Sequence, residues 1–76
     1  MISENEFLNC IRKITGSNLD YNIEMKLNNY EEFDSLDLMS ISAWVSDTYD
    51  LELPVSELQN MENLKELFEA IANKSL

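Results

Sequence analysis

Apolar residues along this chain recur mainly at helical spacing, and polar punctuation divides them into separate runs. Ser3 followed by Glu6 has the form of a capping box, after which Phe7, Cys10, Ile11 and Ile14 share one face until Gly16 offers a stop. A first helix of about three turns is expected there. The next helical run has Asp34 as its N-cap, Ser35 as its first residue and Asp37 three residues on, and both carboxylates lie where the helix dipole favours negative charge. Leu38, Ile41, Val45 and Tyr49 form its expected buried stripe, with Trp44 at the margin and the late acids Asp47 and Asp50 in solvent. Pro54, which has no backbone donor and turns Leu53 away from helical angles, is expected to end this helix within "DLELPV". A short helical turn over residues 56–59, capped by Ser56, and a last helix over residues 62–73 complete the pattern. In that last helix Leu64, Leu67, Phe68 and Ile71 form the apolar face, with Asn60 or Met61 near its start.

Residues 17–33 break the periodicity. They are rich in asparagine and acids, and Leu19, Ile23, Met25, Leu27 and Tyr30 are spaced singly, as anchors of a long connection to the core. Only "LDYNIEMKL" within it alternates in the manner of a strand. A structureless connection of that length is uncommon in a small domain and usually has a purpose. The expected fold is therefore all-α, a small four-helix bundle of three principal helices and one short helix, with a long loop between helices 1 and 2. It reads as a single domain over residues 1–76, without repeats or low-complexity tracts.

The length of 76 residues limits the chain to one modest core and leaves no room for a deep catalytic cleft. A formal charge of -10 and a pI near 4.1 oppose binding to nucleic acid or to an anionic membrane and favour basic protein surfaces. The 45% hydrophobic content is enough for folding despite that charge. The one cysteine, Cys10, cannot form an internal disulfide and is expected to be a packed, inert thiol. "MISENEFLNC" lacks a basic region followed by an apolar run, and no apolar stretch is long enough to span a bilayer, so a soluble cytoplasmic protein without membrane insertion is expected.

Candidate chemistry is sparse. Without histidine, a cysteine pair or a Gly-rich phosphate loop, the chain offers only carboxylates as acid or base, and no enzyme is expected. Glu31, Glu32, Asp34 and Asp37 lack the alternating spacing and turn glycine of a calcium loop, so no metal site is assigned. Ser35 is different. Asp-Ser-Leu-Asp is also an ordinary helix start, yet a first-turn serine presents its hydroxyl beside free backbone donors, where a phosphate ester would be favoured.

A serine so placed at the start of the second helix of a small acidic bundle resembles the attachment site of the acyl carrier proteins. The resemblance rests on "DSLDL" at 34–38, on Ile41, Val45 and Tyr49, on "YDLELP" at 49–54 and on "LKELFEAI" at 64–71. It implies that Ser35 receives a 4'-phosphopantetheine arm from coenzyme A through a phosphopantetheinyl transferase. The arm's thiol would then hold acyl intermediates as thioesters for partner enzymes of fatty-acid, polyketide or related specialised biosynthesis. It further implies a monomeric, non-catalytic carrier that meets acyl-transfer, condensing or ligase enzymes through their basic docking patches. Asp34 and Asp37 would flank the arm, Leu36 and Met39 would offer exposed apolar contacts, and Asp47 would extend the acidic strip. For Leu36 and Met39 the periodicity alone leaves core packing equally open. A cargo cleft, if present, would lie nearest Met25, Leu27, Ile41, Val45, Leu58, Met61 and Phe68, which core packing explains equally well.

The chain departs from the common carrier pattern in "YEEF" at 30–33, in Ser40, Ser42 and Ser46, and in the bulky Trp44. These departures favour a dedicated carrier as much as one of general fatty-acid synthesis. Two alternatives remain at this level: a peptidyl or aminoacyl carrier with the same arm, and a cofactor-free acidic adaptor in which Asp34 only caps a helix.

Overall fold

In a computed structural model, residues 2–16, 22–27 and 33–75 are described, with Lys74 and Ser75 described by their backbone alone. The described residues form four helices, α1 (Glu4–Thr15), α2 (Ser35–Tyr49), α3 (Val55–Asn60) and α4 (Leu64–Ser75), and contain no strand. The expected anchors Leu19 and Tyr30 and the acids Glu31 and Glu32 lie outside the described residues.

α1 follows from its caps. The Glu6 N–H donates to Ser3 Oγ at 3.2 Å, and Gly16 closes the helix in the left-handed region, φ 67°, with its N–H on the Arg12 carbonyl. Glycine meets no steric penalty there. Phe7 and Ile11 are fully buried, Ile14 is half-buried, and Cys10 is half-buried and free of a disulfide, so the thiol is less packed than expected.

α2 starts at Ser35 as its cap residues predict and ends within "DLELPV" as expected, but for another reason. Asp50, not Pro54, terminates it: the residue adopts φ 53°, ψ 38° and donates its N–H to the Ser46 carbonyl. Aspartate tolerates this conformation better than most residues, and the left-handed turn releases residues 51–54 to run extended, bringing Leu53 into the core. Pro54 instead caps α3, its carbonyl accepting from the N–H groups of Glu57 and Leu58. Ser56 therefore lies inside α3 and is not its cap. The last helix begins at Leu64, two residues later than expected, and runs to Ser75, because Asn63 Oδ1 accepts the Glu66 N–H and ends the extended chain before it.

Leu38, Ile41 and Val45 of α2 meet Phe7 and Ile11 of α1, Leu58 of α3 and Leu64, Leu67 and Ile71 of α4 in one core, which Leu27, Phe33 and Leu53 complete. Tyr49 is only half-buried, so the α2 stripe stops one turn earlier than its spacing suggests. No polar or charged side chain among the described residues is buried, so the core rests on apolar area, at about 1.5–3 kcal/mol for each large side chain. Trp44 fits because α2 turns it toward α1: its ring lies 6.2 Å from Phe7 and edge-on to Tyr49 at 5.5 Å, while Phe7 also meets Phe68 at 5.3 Å.

The described part of the long connection is tied to α4. Leu64 N–H donates to the Met25 carbonyl at 2.9 Å and Lys65 N–H to the Ile23 carbonyl at 2.8 Å. Two amides at the start of α4 that have no intrahelical acceptor are thereby satisfied by loop carbonyls. Leu27 is fully buried, and Ile23 and Met25 pack at the margin of the core, as anchors should.

Candidate functional site

Ser35 is the first residue of α2 and is exposed. Its setting is fixed by a reciprocal capping box in which Asp37 N–H donates to Asp34 Oδ1 at 2.9 Å and Asp34 N–H donates to Asp37 Oδ2 at 3.3 Å. Asp34 has an extended backbone, and its carbonyl accepts from Leu38 N–H at 3.1 Å. The two carboxylates thus turn onto backbone amides, and the serine stands between them at a rigid corner. First-turn amides lack a helical acceptor, and the positive end of the dipole favours an anion there. These features fit a phosphodiester on Ser35 Oγ.

α2 buries Leu38, Ile41 and Val45, and this orientation decides what it leaves outside. Leu36 is 71% exposed and Met39 58%, the exposed large hydrophobic residues of the described chain. Asp37 is half-buried and Asp34 and Asp47 are exposed. Positions 35, 36, 39, 43, 46 and 47 follow one another at helical intervals, so the serine and these apolar and acidic residues share the outward side of α2. Met39 stands one turn, about 6 Å, beyond Ser35 along the axis.

A groove of about 610 Å³ continues this surface. Met39, Ser42, Ala43 and Ser46 line it from α2, and Glu52, Leu53, Pro54, Val55 and Glu57 line it from the connection and α3. Ser42 Oγ donates to the Leu53 carbonyl at 2.7 Å and clamps the two walls together. Sequence periodicity does not reveal this groove, because it depends on a hydrogen bond between residues eleven apart. The serine at position 42, polar on a half-buried face, is the one sign of it in the sequence.

Charge is segregated. No lysine or arginine occurs between Leu27 and Leu64, so α2 and α3 carry acids without internal cations. Away from this surface, burial, then electrostatic repulsion from Cys10 and from Glu6, push the Tyr49 phenol above its ordinary pKa. Of the residues expected nearest a cargo cleft, Leu27, Ile41, Val45 and Leu58 are fully buried as core, and Met25, Met61 and Phe68 pack against its edge.

A family model described as a phosphopantetheine attachment site matches residues 5–71, a span running from the first turn of α1 to Ile71 in α4. Comparison with curated proteins and with solved structures gave no match.

Proposed function

The chain belongs to the phosphopantetheine attachment-site family, and from that premise we propose that Ser35 is the residue that bears the 4'-phosphopantetheine arm. Domains of this family are attachment sites for that group and act as carriers, generally without catalysis of their own. The observation that carries the assignment to Ser35 is its place as the exposed first residue of α2 inside the Asp34–Asp37 capping box. Among the described residues, the other serines in the matched span lack this combination. Ser40 and Ser46 lie within α2, where amides are already bonded along the helix, and Ser42 is committed to Leu53. Ser56 sits in the six-residue α3, whose start has no side-chain cap.

When attached, the arm supplies a thiol that holds cargo as a thioester. The contribution of the chain is to keep the Ser35 hydroxyl outward, to place amide donors beside the phosphate, and to offer partners a surface. We read the cargo as acyl and the partners as a phosphopantetheinyl transferase and acyl-handling enzymes with basic docking patches, met through Asp34, Leu36, Asp37, Met39 and Asp47. The charge of -10 supports this, since brief encounters with several enzymes are served by steering.

Incubation with coenzyme A and a promiscuous phosphopantetheinyl transferase, read by intact mass, tests the site. The wild-type chain should gain one arm, Ser40→Ala and Ser46→Ala should gain it too, and Ser35→Ala should not. No gain on the wild type, or a gain on Ser35→Ala, overturns the assignment. The thioester found on the native protein tests the cargo, and an aminoacyl load would replace the acyl reading.

A further inference from the structure

Ser35 is exposed, and the hydrogen bonds of its capping box lie at the surface with it. Bonds that compete with water hold a side chain only weakly in place. The turn is held more firmly from its two ends. Asp34, Ser35 and Leu36 are exposed and Asp37 is half-buried, whereas Phe33 before them and Leu38 after them are fully buried in one core.

With Asp34 as the N-cap and Ser35 as the first helical residue, Phe33 is the residue before the cap and Leu38 is the fourth of the helix. An apolar pair at these two positions has the form of a hydrophobic staple, which fixes the angle at which the chain enters a helix. Resting on the reading of Ser35 as the modified residue, we propose that Phe33 is a positioning residue for arm transfer. By packing into the core with Leu38, it sets the place of Ser35 Oγ before a transferase binds.

The local geometry carries a movement of Phe33 to the serine. Phe33 lies before the helical ladder of α2, so its buried ring adds a tie that the helix itself does not supply. Asp34 between them is extended, φ -84° and ψ -179°, and neighbouring side chains along extended backbone face opposite sides. Phe33 therefore points inward where Asp34 points outward, as their burial records. Ser35 follows two residues from Phe33, about 7 Å along the chain, with no loop between to absorb a shift. Phe33 and Phe7 are the bulkiest fully buried side chains of the described residues. A smaller residue at 33 leaves a space into which the corner can relax. Transfer to a hydroxyl demands close alignment of the reacting atoms, so such a relaxation slows the transfer itself more than it weakens binding.

A purely structural role for Phe33 would lower Tm and leave transfer unchanged while the carrier is folded. Single-turnover arm transfer from coenzyme A separates the two roles, with a promiscuous phosphopantetheinyl transferase in excess, its concentration varied, and the temperature well below each Tm. Phe33→Val should slow transfer at saturation about tenfold, since a misplacement of about 1 Å can cost about 10²-fold, with the half-saturating concentration little changed. Phe33→Leu keeps more of the volume and should recover much of the rate, remaining about threefold slow. Ile71→Ala removes buried area from the same core on α4 and should lower Tm while transferring like the wild type. Exchange of the Asp37 amide, which bonds to Asp34, should quicken more in Phe33→Val than in Ile71→Ala. Wild-type transfer in every folded Phe33 variant, or an equal slowing in Ile71→Ala, overturns the positioning role and leaves Ser35 in place. Failure of the wild type to take the arm overturns the Ser35 assignment, and the role of Phe33 falls with it.

Discussion

Asp34 has two tasks that mutation can separate. Its side chain accepts the Asp37 N–H, which stabilises the first turn of α2, and its backbone sets the corner at which Ser35 is displayed. Replacing an aspartate N-cap by alanine costs about 1 kcal/mol, whereas asparagine caps nearly as well. Asp34→Ala should therefore lower Tm by roughly 4–8 °C for a domain of this size, and Asp34→Asn should restore most of the loss. A melt followed at 222 nm, the far-ultraviolet helix signal, checks this. Equal losses in both variants would show that the negative charge near the helix N-terminus, and not the hydrogen bond, carries the effect. The same comparison bears on the proposed function, because a frayed first turn would blur the position of the hydroxyl proposed to take the arm.

At the scale of elements, the two ends of α2 differ in how they are specified. Its start was legible because aspartate, serine and a second aspartate three residues on is a local signal whose physics acts within one turn. Its end was legible in place, within "DLELPV", but not in mechanism, because the usual mark of a left-handed cap is glycine, and Asp50 takes that role without it. Pro54 drew attention as a helix breaker yet sits four residues past the end, where it opens α3. The exposure of Leu36 and Met39 was left open by periodicity and decided by which face met α1, a choice made by Phe7 and Trp44 across the interface. The groove needed the Leu53 carbonyl to return to Ser42, a contact that no local pattern announces. Asp50 provides a direct test of this account. A non-glycine residue with positive φ is strained, less so for aspartate than for alanine, while glycine gains conformational freedom in the unfolded chain. Asp50→Gly should be more stable than Asp50→Ala by about 1 kcal/mol, with the wild type between them, in urea unfolding. The reverse order would mean that the Asp50 side chain, and not its backbone, holds the end of α2.

The whole molecule concentrates its charge on the half that is proposed to meet partners. With a radius of gyration of 11.1 Å, the chain holds its net charge of -10 within a radius smaller than the screening length of about 30 Å at 0.01 M salt and larger than that of about 8 Å at 0.15 M. At low salt every carboxylate feels the others, whereas near physiological salt mainly neighbours interact. Tm should therefore rise as sodium chloride increases from about 0.01 to 0.15 M, the opposite of what a fold held by surface ion pairs would show. A flat or falling Tm would mean that local pairing outweighs repulsion. The effect should also depend on position. Glu69 has Lys65 one turn before it on α4, so its repulsion is partly offset, whereas Glu57 lies in a span without lysine or arginine. Glu57→Gln should accordingly raise the low-salt Tm more than Glu69→Gln. Docking should respond in the opposite sense, because the salt that relieves repulsion within the carrier also screens its attraction for a cationic partner. If partners dock as proposed, stability and recognition draw on the same acidic surface with opposite dependence on salt, and Glu57→Gln should improve the first at low salt while weakening the second.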